Sequence, residues 1–409
     1  MKNSIVFIFL VVVYRLLLDF IYIDEITPNF DYFLMIDNST EESFTTSWLL
    51  LFSFFPFVLW SFNSKETSIR GYATLLFFLL RVVPYTSFMR FSPQSSYYLF
   101  LNSEYWILLF LLLRYWKGFS LRTLHAKTDK PLMLITIGAV GTVLIVSGVY
   151  AHFRVHISLD DVYELREEAR SFKMPLLLAY FNAATANIIP IVMVYYIRKG
   201  KKGLIFLLAF VGLLNFSVAG SKSTLFKIIL CLFLVFKKDL NVKKYILPGL
   251  LSLCTFCLLE FQVLKTTVLS TLIIRRMFFV PIMLDTLYYN FVHGHAPVFF
   301  ETEKYRTLSF AIGTEYFGRE DMRANNGIFT DAFVNLGSIG CVVFPILIAF
   351  LINVCEKLFV GVDKGITIFA VFLIVTTLSS SMLTTSLFTH GLLLLILTVT
   401  LVPRKEGNY

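Results

Sequence analysis

Residues 131–152 read PLMLITIGAVGTVLIVSGVYAH, a run without any Asp, Glu, Lys or Arg that decides the fold class. A membrane-spanning α-helix needs about 20 mostly apolar residues, and this run has that length. The rest of the chain is similar, because 57% of its 409 residues are hydrophobic and only 15% are charged. Soluble domains carry roughly 25% charged residues, so a soluble chain of this composition could not cover its surface. The sequence therefore predicts an all-α, polytopic integral membrane protein.

Twelve stretches are apolar enough to be spans, with several short ones among them. They are 4–23, 47–62, 71–88, 97–116, 131–152, 176–197, 203–219, 223–236, 245–263, 338–354, 365–382 and 387–402. The first is nearly a full span and lacks a small-x-small cleavage site, which favours a retained helix over a signal peptide. No internal repeat or low-complexity linker separates the stretches, so residues 1–409 are interpreted as a single membrane domain.

The distribution of Lys and Arg orients the spans, because cytoplasmic loops are enriched in both. With the N-terminus inside, the inside segments carry a net charge of +14 and the outside segments −5. Both termini are then cytoplasmic, and the loops 152–175 and 264–337 are long outer loops. Since the basic excess follows topology and not one clustered face, nucleic acid is not expected as a partner.

Charges inside predicted spans are costly and usually functional. Six occur here: Arg15, Asp19, Arg81, Glu104, Lys227 and Glu260. They lie mostly in the outer halves of their helices, which predicts a polar cavity that opens outward. For Arg15 and Asp19 the alternative is mutual neutralisation, because residues four apart share a helix face.

The loop 152–175 contains candidate anion-binding side chains. Arg166 and Arg170 are spaced to share one face of a predicted helix, with Tyr163 near it, and two guanidiniums can grip a diphosphate through paired hydrogen bonds. The alternative is a solvated amphipathic helix with internal Glu–Arg pairs. Lys222, in a tight turn before the next span, could hold an anion above a helix N-terminus or reach the lipid headgroups.

The loop 264–337 begins with an apolar, aromatic stretch, 269–291, whose centre holds Arg275 and Arg276. The two arginines argue against a span, and we expect a helix broken near Pro281 that lies at the outer interface or packs on the bundle. The end of the loop is dense in small and hydrogen-bonding residues, which is unusual for a connector. These include Arg323, Asn326 and Asp331.

Metal, cofactor and disulfide chemistry is not expected. His293 and His295 lack further ligands at suitable spacing for a metal. The carboxylate pair Glu301 and Glu303 is an equally weak candidate. The five cysteines lie in or beside apolar runs, and the CxxC of 254–257 is interpreted as small buried residues.

At this point the sequence resembles the Wzy-type O-antigen polymerases, which join oligosaccharide repeat units in bacterial envelopes. The resemblance rests first on NNGIFTDAFVNLGSIG at 325–340. It extends to DVYELREEAR at 161–170, AGSKSTLF at 219–226 and RRMFFVP at 275–281. With the twelve-span layout and the late outer loop, it covers most of the chain.

The resemblance implies a GT-C-like glycosyltransferase of the bacterial inner membrane that uses undecaprenyl-diphosphate-linked oligosaccharides at the periplasmic face. It also implies a flippase and a chain-length co-polymerase as partners. An O-antigen ligase, or a non-enzymatic flippase or transporter, is the alternative. The motifs fit a ligase less well, and a transporter is expected to show internal repeats and midplane charges.

The chemistry of glycosyl transfer assigns roles to the candidates. Cations can stabilise the diphosphate leaving group, and a carboxylate can act as general base toward the acceptor hydroxyl. The predicted catalytic residues are Asp331, Arg275 and Arg276, with Glu315 and Asp161 as alternative bases. The predicted substrate-binding residues are Tyr163, Arg166, Arg170, Lys222, Arg323 and Asn326.

Overall fold

The computed structural model describes residues 2–65, 68–116, 128–155, 162–236, 242–324 and 326–404, and these residues form helices without any strand. The helices before residue 200 are α1 (Lys2–Ile21), α2 (Thr27–Phe30), α3 (Glu41–Asn63), α4 (Ile69–Phe77), α5 (Val83–Phe91), α6 (Ser96–Tyr115), α7 (Lys130–Ala151), α8 (Val162–Ser171) and α9 (Leu176–Arg198). The later helices are α10 (Lys202–Ala219), α11 (Lys222–Phe236), α12 (Val242–Leu264), α13 (Val280–Val292), α14 (Thr302–Phe317), α15 (Ile328–Leu358), α16 (Lys364–Ser380), α17 (Leu383–Leu387) and α18 (Leu392–Thr400).

The polytopic, all-helical prediction is confirmed. In the described part of the chain, nine helical stretches are long and apolar enough to cross a membrane. They are Ser4–Phe33, Glu41–Asn63, Ile69–Phe91, Ser96–Tyr115, Lys130–Ala151, Leu176–Arg198, Lys202–Ala219, Lys243–Leu264 and Ile328–Leu358. Each contains or largely overlaps one of the predicted spans, so apolar run length alone located them.

The structure does not contain a continuous helix over the predicted span 387–402. The helix there, α18, has nine residues and would cover about 14 Å at 1.5 Å per residue, roughly half of the hydrocarbon core. Gly391 precedes it with φ +69°, in the left-handed region, and a Cβ at Gly391 would collide with Ala184. The turn at Gly391 therefore divides the predicted span, and only the part after it forms the helix α18.

The chain forms two compact units. Unit 1 comprises Met1–Phe119, Asn241–Val354 and Leu378–Leu383, and unit 2 comprises Ser120–Leu240, Cys355–Thr377 and Thr384–Tyr409. In unit 2, α7, α9 and α10 pack against one another, and α11 and α18 pack on α9. The predicted helix in the loop 152–175 is present there as α8, which packs against α10.

The centre of unit 1 is the continuous helical stretch Ile69–Phe91, called the central helix below, whose most apolar window is completely buried. α3 packs along both of its halves, and α1, α6 and α13 contact it as well. A side chain on the central helix therefore meets protein on all sides. Any charged group on it must find its partner within unit 1.

Within the described residues of unit 1, three π-helical segments interrupt the helices: Tyr22–Ile26, Phe78–Val82 and Ser270–Phe279. The third packs against the other two. A proline follows each one at the second position of the next helix, namely Pro28, Pro84 and Pro281. Proline has no N–H and its ring crowds the carbonyl four residues earlier, so wider bonds to the carbonyl five residues back relieve the chain. The predicted break near Pro281 is thus a π-helical widening and not an interruption.

Candidate functional site

The second π segment carries Arg81, which is 2% exposed at the centre of unit 1. Its Nη2 donates to Oδ2 of Asp285, a residue of α13 that is 3% exposed. Thr330, near the start of α15, donates its hydroxyl to the other oxygen, Oδ1. Arg81, Asp285 and Thr330 together are called the buried charge centre. Three elements that are far apart in sequence meet at this one carboxylate.

The electrostatics of the buried charge centre follow from its burial. Loss of water raises the pKa of the Asp285 carboxyl above its ordinary value, and the contacts with Arg81 and Thr330 act in the opposite direction. Removing one member of such a pair leaves an uncompensated charge in an apolar interior. Separating Arg81 from Asp285 is therefore expected to destabilise the fold strongly.

A glycine allows α15 to approach the buried charge centre. A Cβ at Gly327 would lie 3.5 Å from Nη2 of Arg81 and 2.6 Å from the backbone oxygen of Ser379. Real Cβ atoms do not come that close to a backbone oxygen, so only glycine fits here. Asn326, a predicted substrate-binding residue, is buried beside it.

Asp331, the predicted base, is 1% exposed, and both of its carboxylate oxygens accept hydrogen bonds. Oδ1 accepts from Nδ2 of Asn335 at 2.7 Å, and Oδ2 accepts from the backbone N–H of Leu383 at 2.7 Å. The carboxylate thus ties the start of α15 to the 378–383 stretch of unit 1. Its role as a base stays a prediction, and each carboxylate oxygen keeps a second lone pair that could take a proton.

Buried hydroxyl groups surround this region. Tyr85 and Tyr105 are 2% and 0% exposed, and their hydroxyls have no hydrogen-bond partner within the described part of the chain. The same holds for Nη1 of Arg81. The ring of Tyr105 packs edge-on against Phe329, with the centroids 5.6 Å apart. The surroundings of the buried charge centre therefore retain unused hydrogen-bonding capacity.

A second charged cluster lies where α1 meets the central helix. Arg15 donates to Asp19, and Arg90 donates to the other oxygen of Asp19 at 2.9 Å. Ser87 also donates to Asp19, at 2.6 Å. The alternative that Arg15 and Asp19 neutralise each other on one helix face is confirmed. Arg90, missed by the sequence reasoning, is the third member.

The predicted arginines of the late loop have different surroundings. Arg275 is 6% exposed, with its guanidinium carbon 3.9 Å from the centre of the Phe30 ring. Arg276 is exposed. Arg323 is exposed and lies over the ring of Phe310 at 4.9 Å. Arg275 thus fixes the segment after α1 through a cation–π contact, whereas Arg276 and Arg323 are exposed.

The other predicted site residues belong to unit 2. The half-buried Arg166 donates from Nε to the backbone oxygen of Gly220 at 2.8 Å. Lys222 is half-buried at the start of α11. The side chains of Tyr163 and Arg170 lie outside the described residues, as does Asp161. Pairing of Arg166 with Arg170 around a diphosphate therefore stays a prediction.

The sequence reasoning missed Asp285. This single acid in the aromatic stretch 269–291 carried a usable signal, because an isolated carboxylate among apolar residues needs a cation. Arg81 was recognised as a charge in a span, but its partner lies 204 residues away. A sequence offers no local spacing that connects two such positions.

No family model, no curated protein and no solved structure matches this chain. Its function must therefore be argued from the chemistry of its own residues and from the sequence resemblance.

Proposed function

We propose that this chain is an integral-membrane glycosyltransferase that polymerises undecaprenyl-diphosphate-linked repeat units of O-antigen or a related surface polysaccharide. The growing glycan is transferred from its lipid carrier to the sugar of a newly arrived repeat unit, and undecaprenyl diphosphate leaves. The reaction takes place at the periplasmic face of the inner membrane, with both termini in the cytoplasm.

The observation that carries this proposal is the bonding of Thr330 and Asp331 within the interior of unit 1, because these residues belong to the segment on which the resemblance chiefly rests. Thr330 binds the carboxylate of Asp285, and Asp331 binds Asn335 and the backbone of Leu383. A mere connector before a span needs no such polar network. Buried polar and charged groups within apolar membrane helices are costly and are typical of substrate sites.

The proposed reaction needs cations and a carboxylate at the outer face. Charge develops on the diphosphate as it leaves, and the exposed Arg276 and Arg323 are the cations proposed to stabilise it. Asp331 is the proposed base toward the acceptor hydroxyl, through a lone pair that its two hydrogen bonds leave unused. Arg275 contributes by holding Phe30 and the segment after α1 in place.

The proposed substrate also defines the partners. A lipid-linked repeat unit is assembled on the cytoplasmic side, so a flippase must deliver it to the outer face. A chain-length co-polymerase is the proposed second partner. The lipid carrier enters from the bilayer, which agrees with a chain whose described helices are mostly apolar.

Deletion of the gene, followed by a gel of the lipopolysaccharide, tests the proposal. We expect lipid A core bearing a single repeat unit, without the ladder of long chains. A core with no repeat unit would identify a ligase or a flippase instead, and an unchanged ladder would also overturn the proposal.

Complementation of the deletion strain tests the residues. Asp331→Asn preserves shape and should abolish the ladder at normal membrane levels, whereas Asp321→Asn, at an exposed position, should restore it. Arg276→Ala should slow polymerisation about a hundredfold, as loss of one transition-state contact does, and Lys should substitute poorly for it. A full ladder with both Asp331→Asn and Arg276→Ala would remove these residues from the mechanism.

A further inference from the structure

Unit 1 contains a cavity of about 170 Å³ at the kink in α15, separate from the buried charge centre. Its lining includes Tyr97 at the start of α6, His293 and His295 after α13, and Phe333 and Ser338 of α15. His293, His295 and Ser338 are exposed, so the cavity communicates with the surroundings. It therefore has both a route of entry and a set of fixed side chains.

The aromatic side of the cavity is built from packed rings. Tyr289 stacks on His293 with the centroids 4.9 Å apart, and it packs against Phe333 at 5.1 Å. Tyr97 lies 6.0 Å from His293. These contacts fix the orientation of the rings before any ligand arrives. A preorganised wall of this kind lowers the entropic cost of binding.

The opposite rim is fixed by main-chain bonds. The N–H groups of Val298 and Phe299 donate to the backbone oxygens of Val334 and Asn335, at 2.9 and 3.2 Å. This places Pro297 against Gly337, where a Cβ would lie 3.7 Å from the proline ring. Gly337, which lines the cavity, has φ +59° and ψ −145°, and this conformation kinks α15. The rim is thus part of the fold and not a loose loop.

The rim is also connected to the predicted catalytic residue. Phe300 donates its N–H to Oδ1 of Asn335 at 2.8 Å, and Nδ2 of Asn335 donates to Asp331 at 2.7 Å. Phe333 and Asp331 are two residues apart, so their side chains leave the helix in different directions. A ligand in the cavity would therefore be positioned relative to Asp331 without touching it.

Charge and size restrict the ligand. The nine lining residues include no Asp, Glu, Lys or Arg, whereas a diphosphate site needs cations. The volume is below the roughly 300 Å³ at which drug-sized pockets begin, so the cavity is too small to enclose a whole polyprenyl chain. The cavity offers flat aromatic faces together with imidazole and hydroxyl groups. A pyranose ring matches this, because its C–H face packs on aromatic rings while its hydroxyls reach the polar edge.

We infer that this cavity is a subsite for one neutral sugar ring of the oligosaccharide substrate. Its identification with the substrate rests on the proposed function, but sugar binding itself does not. The subsite holds a ring at a distance from the reacting bond, and so it acts in recognition and not in chemistry.

Saturation-transfer NMR on the purified full-length chain in detergent micelles tests the inference. The probe is the repeat-unit oligosaccharide of the host strain, freed from its lipid and phosphate by mild acid. We expect saturation to concentrate on one ring in the wild type. Phe333→Ala should weaken binding about tenfold, as the loss of one aromatic contact does. Phe100→Ala, at a position 60% exposed outside the cavity, is the matched control and should bind normally.

A second variant guards against misfolding of the first. Ser338→Phe fills the cavity from an exposed position without removing any packed side chain, and it should abolish ring-selective saturation. Wild-type binding that both variants leave unchanged would overturn the subsite, as would an absence of wild-type binding. An unchanged polysaccharide ladder in the deletion strain, together with ring-selective binding, would refute the polymerase and leave the sugar site standing.

Discussion

Separating Arg81 from Asp285 should be among the most damaging changes available in unit 1. Both side chains are 3% exposed, so neither charge can turn to water when its partner is removed. Arg81→Met leaves Asp285 with its hydrogen bonds from Thr330 but without its cation, and Asp285→Leu removes the carboxylate that pairs with the guanidinium. Breaking a buried pair from one side costs about 3–5 kcal/mol in the free energy of unfolding. We expect each single variant to lose that amount.

The double variant Arg81→Met/Asp285→Leu should recover most of this loss, since apolar residues of similar volume can replace a buried ion pair at little cost. The expected coupling energy is therefore at least about 3 kcal/mol. The matched control is the pair Lys304–Glu301, which is 65% and 54% exposed in the same unit. Its coupling should not exceed about 1 kcal/mol.

Equilibrium unfolding by SDS in mixed micelles, followed by tryptophan fluorescence, measures these values. All four tryptophans belong to unit 1, and Trp106 is 2% exposed in α6, so the signal reports this unit. The reasoning would be refuted by single variants that lose less than 1 kcal/mol. It would equally be refuted by a double variant whose loss equals the sum of the two single losses.

Three further predictions concern other parts of the structure. Gly327→Ala should destabilise unit 1 by about 1–3 kcal/mol, because the added Cβ meets the backbone oxygen of Ser379. Lys243→Met should cost about 1.5–3 kcal/mol, because its buried ammonium lies within hydrogen-bond distance, 2.5–3.1 Å, of four oxygens at the end of α3. Cysteine placed at Glu301 should react with a membrane-impermeant maleimide added to whole cells, whereas cysteine at Lys201 should not.

Each of these has a matched control and a contrary outcome. Gly249→Ala, where a Cβ meets nothing within 4 Å, should be neutral or mildly stabilising, and equal losses at both glycines would contradict the steric argument. Lys244→Met, at an exposed position, should cost less than Lys243→Met. The five native cysteines are buried, so background labelling should be low. Strong outside labelling at position 201 would reverse the predicted topology.

The sequence was sufficient for features that depend on local pattern. Apolar run length located the long helices, and the i, i+4 spacing of Arg15 and Asp19 identified a real ion pair. The predicted span 338–354 also starts at the residue after Gly337, where α15 is kinked, because the sequence changes there from polar to apolar. Such features need only neighbours in the chain.

The sequence was insufficient where distant segments meet. The carboxylate of Asp285 accepts hydrogen bonds from Arg81 and Thr330, which lie 204 and 45 residues away in the sequence. Asp331 was predicted as a site residue because it lies in a polar segment. Nothing in the sequence indicates that it accepts a hydrogen bond from the backbone of Leu383. Two compact units likewise cannot be recognised in a chain whose apolar runs look alike from end to end.

The π segments lie between these two cases. Pro28, Pro84 and Pro281 each crowd a carbonyl inside the π segment before them, so the local cause is visible in the sequence. Yet four other prolines, Pro56, Pro190, Pro248 and Pro345, lie inside helices that remain α-helical. What distinguishes the first three is tertiary, because their π segments pack on one another in unit 1. Each also carries at least one charged side chain, Arg81 and Arg275 among them. Proline therefore lowers the energetic cost of a π-helical turn. The packing of the three segments around charged groups determines at which prolines such a turn forms.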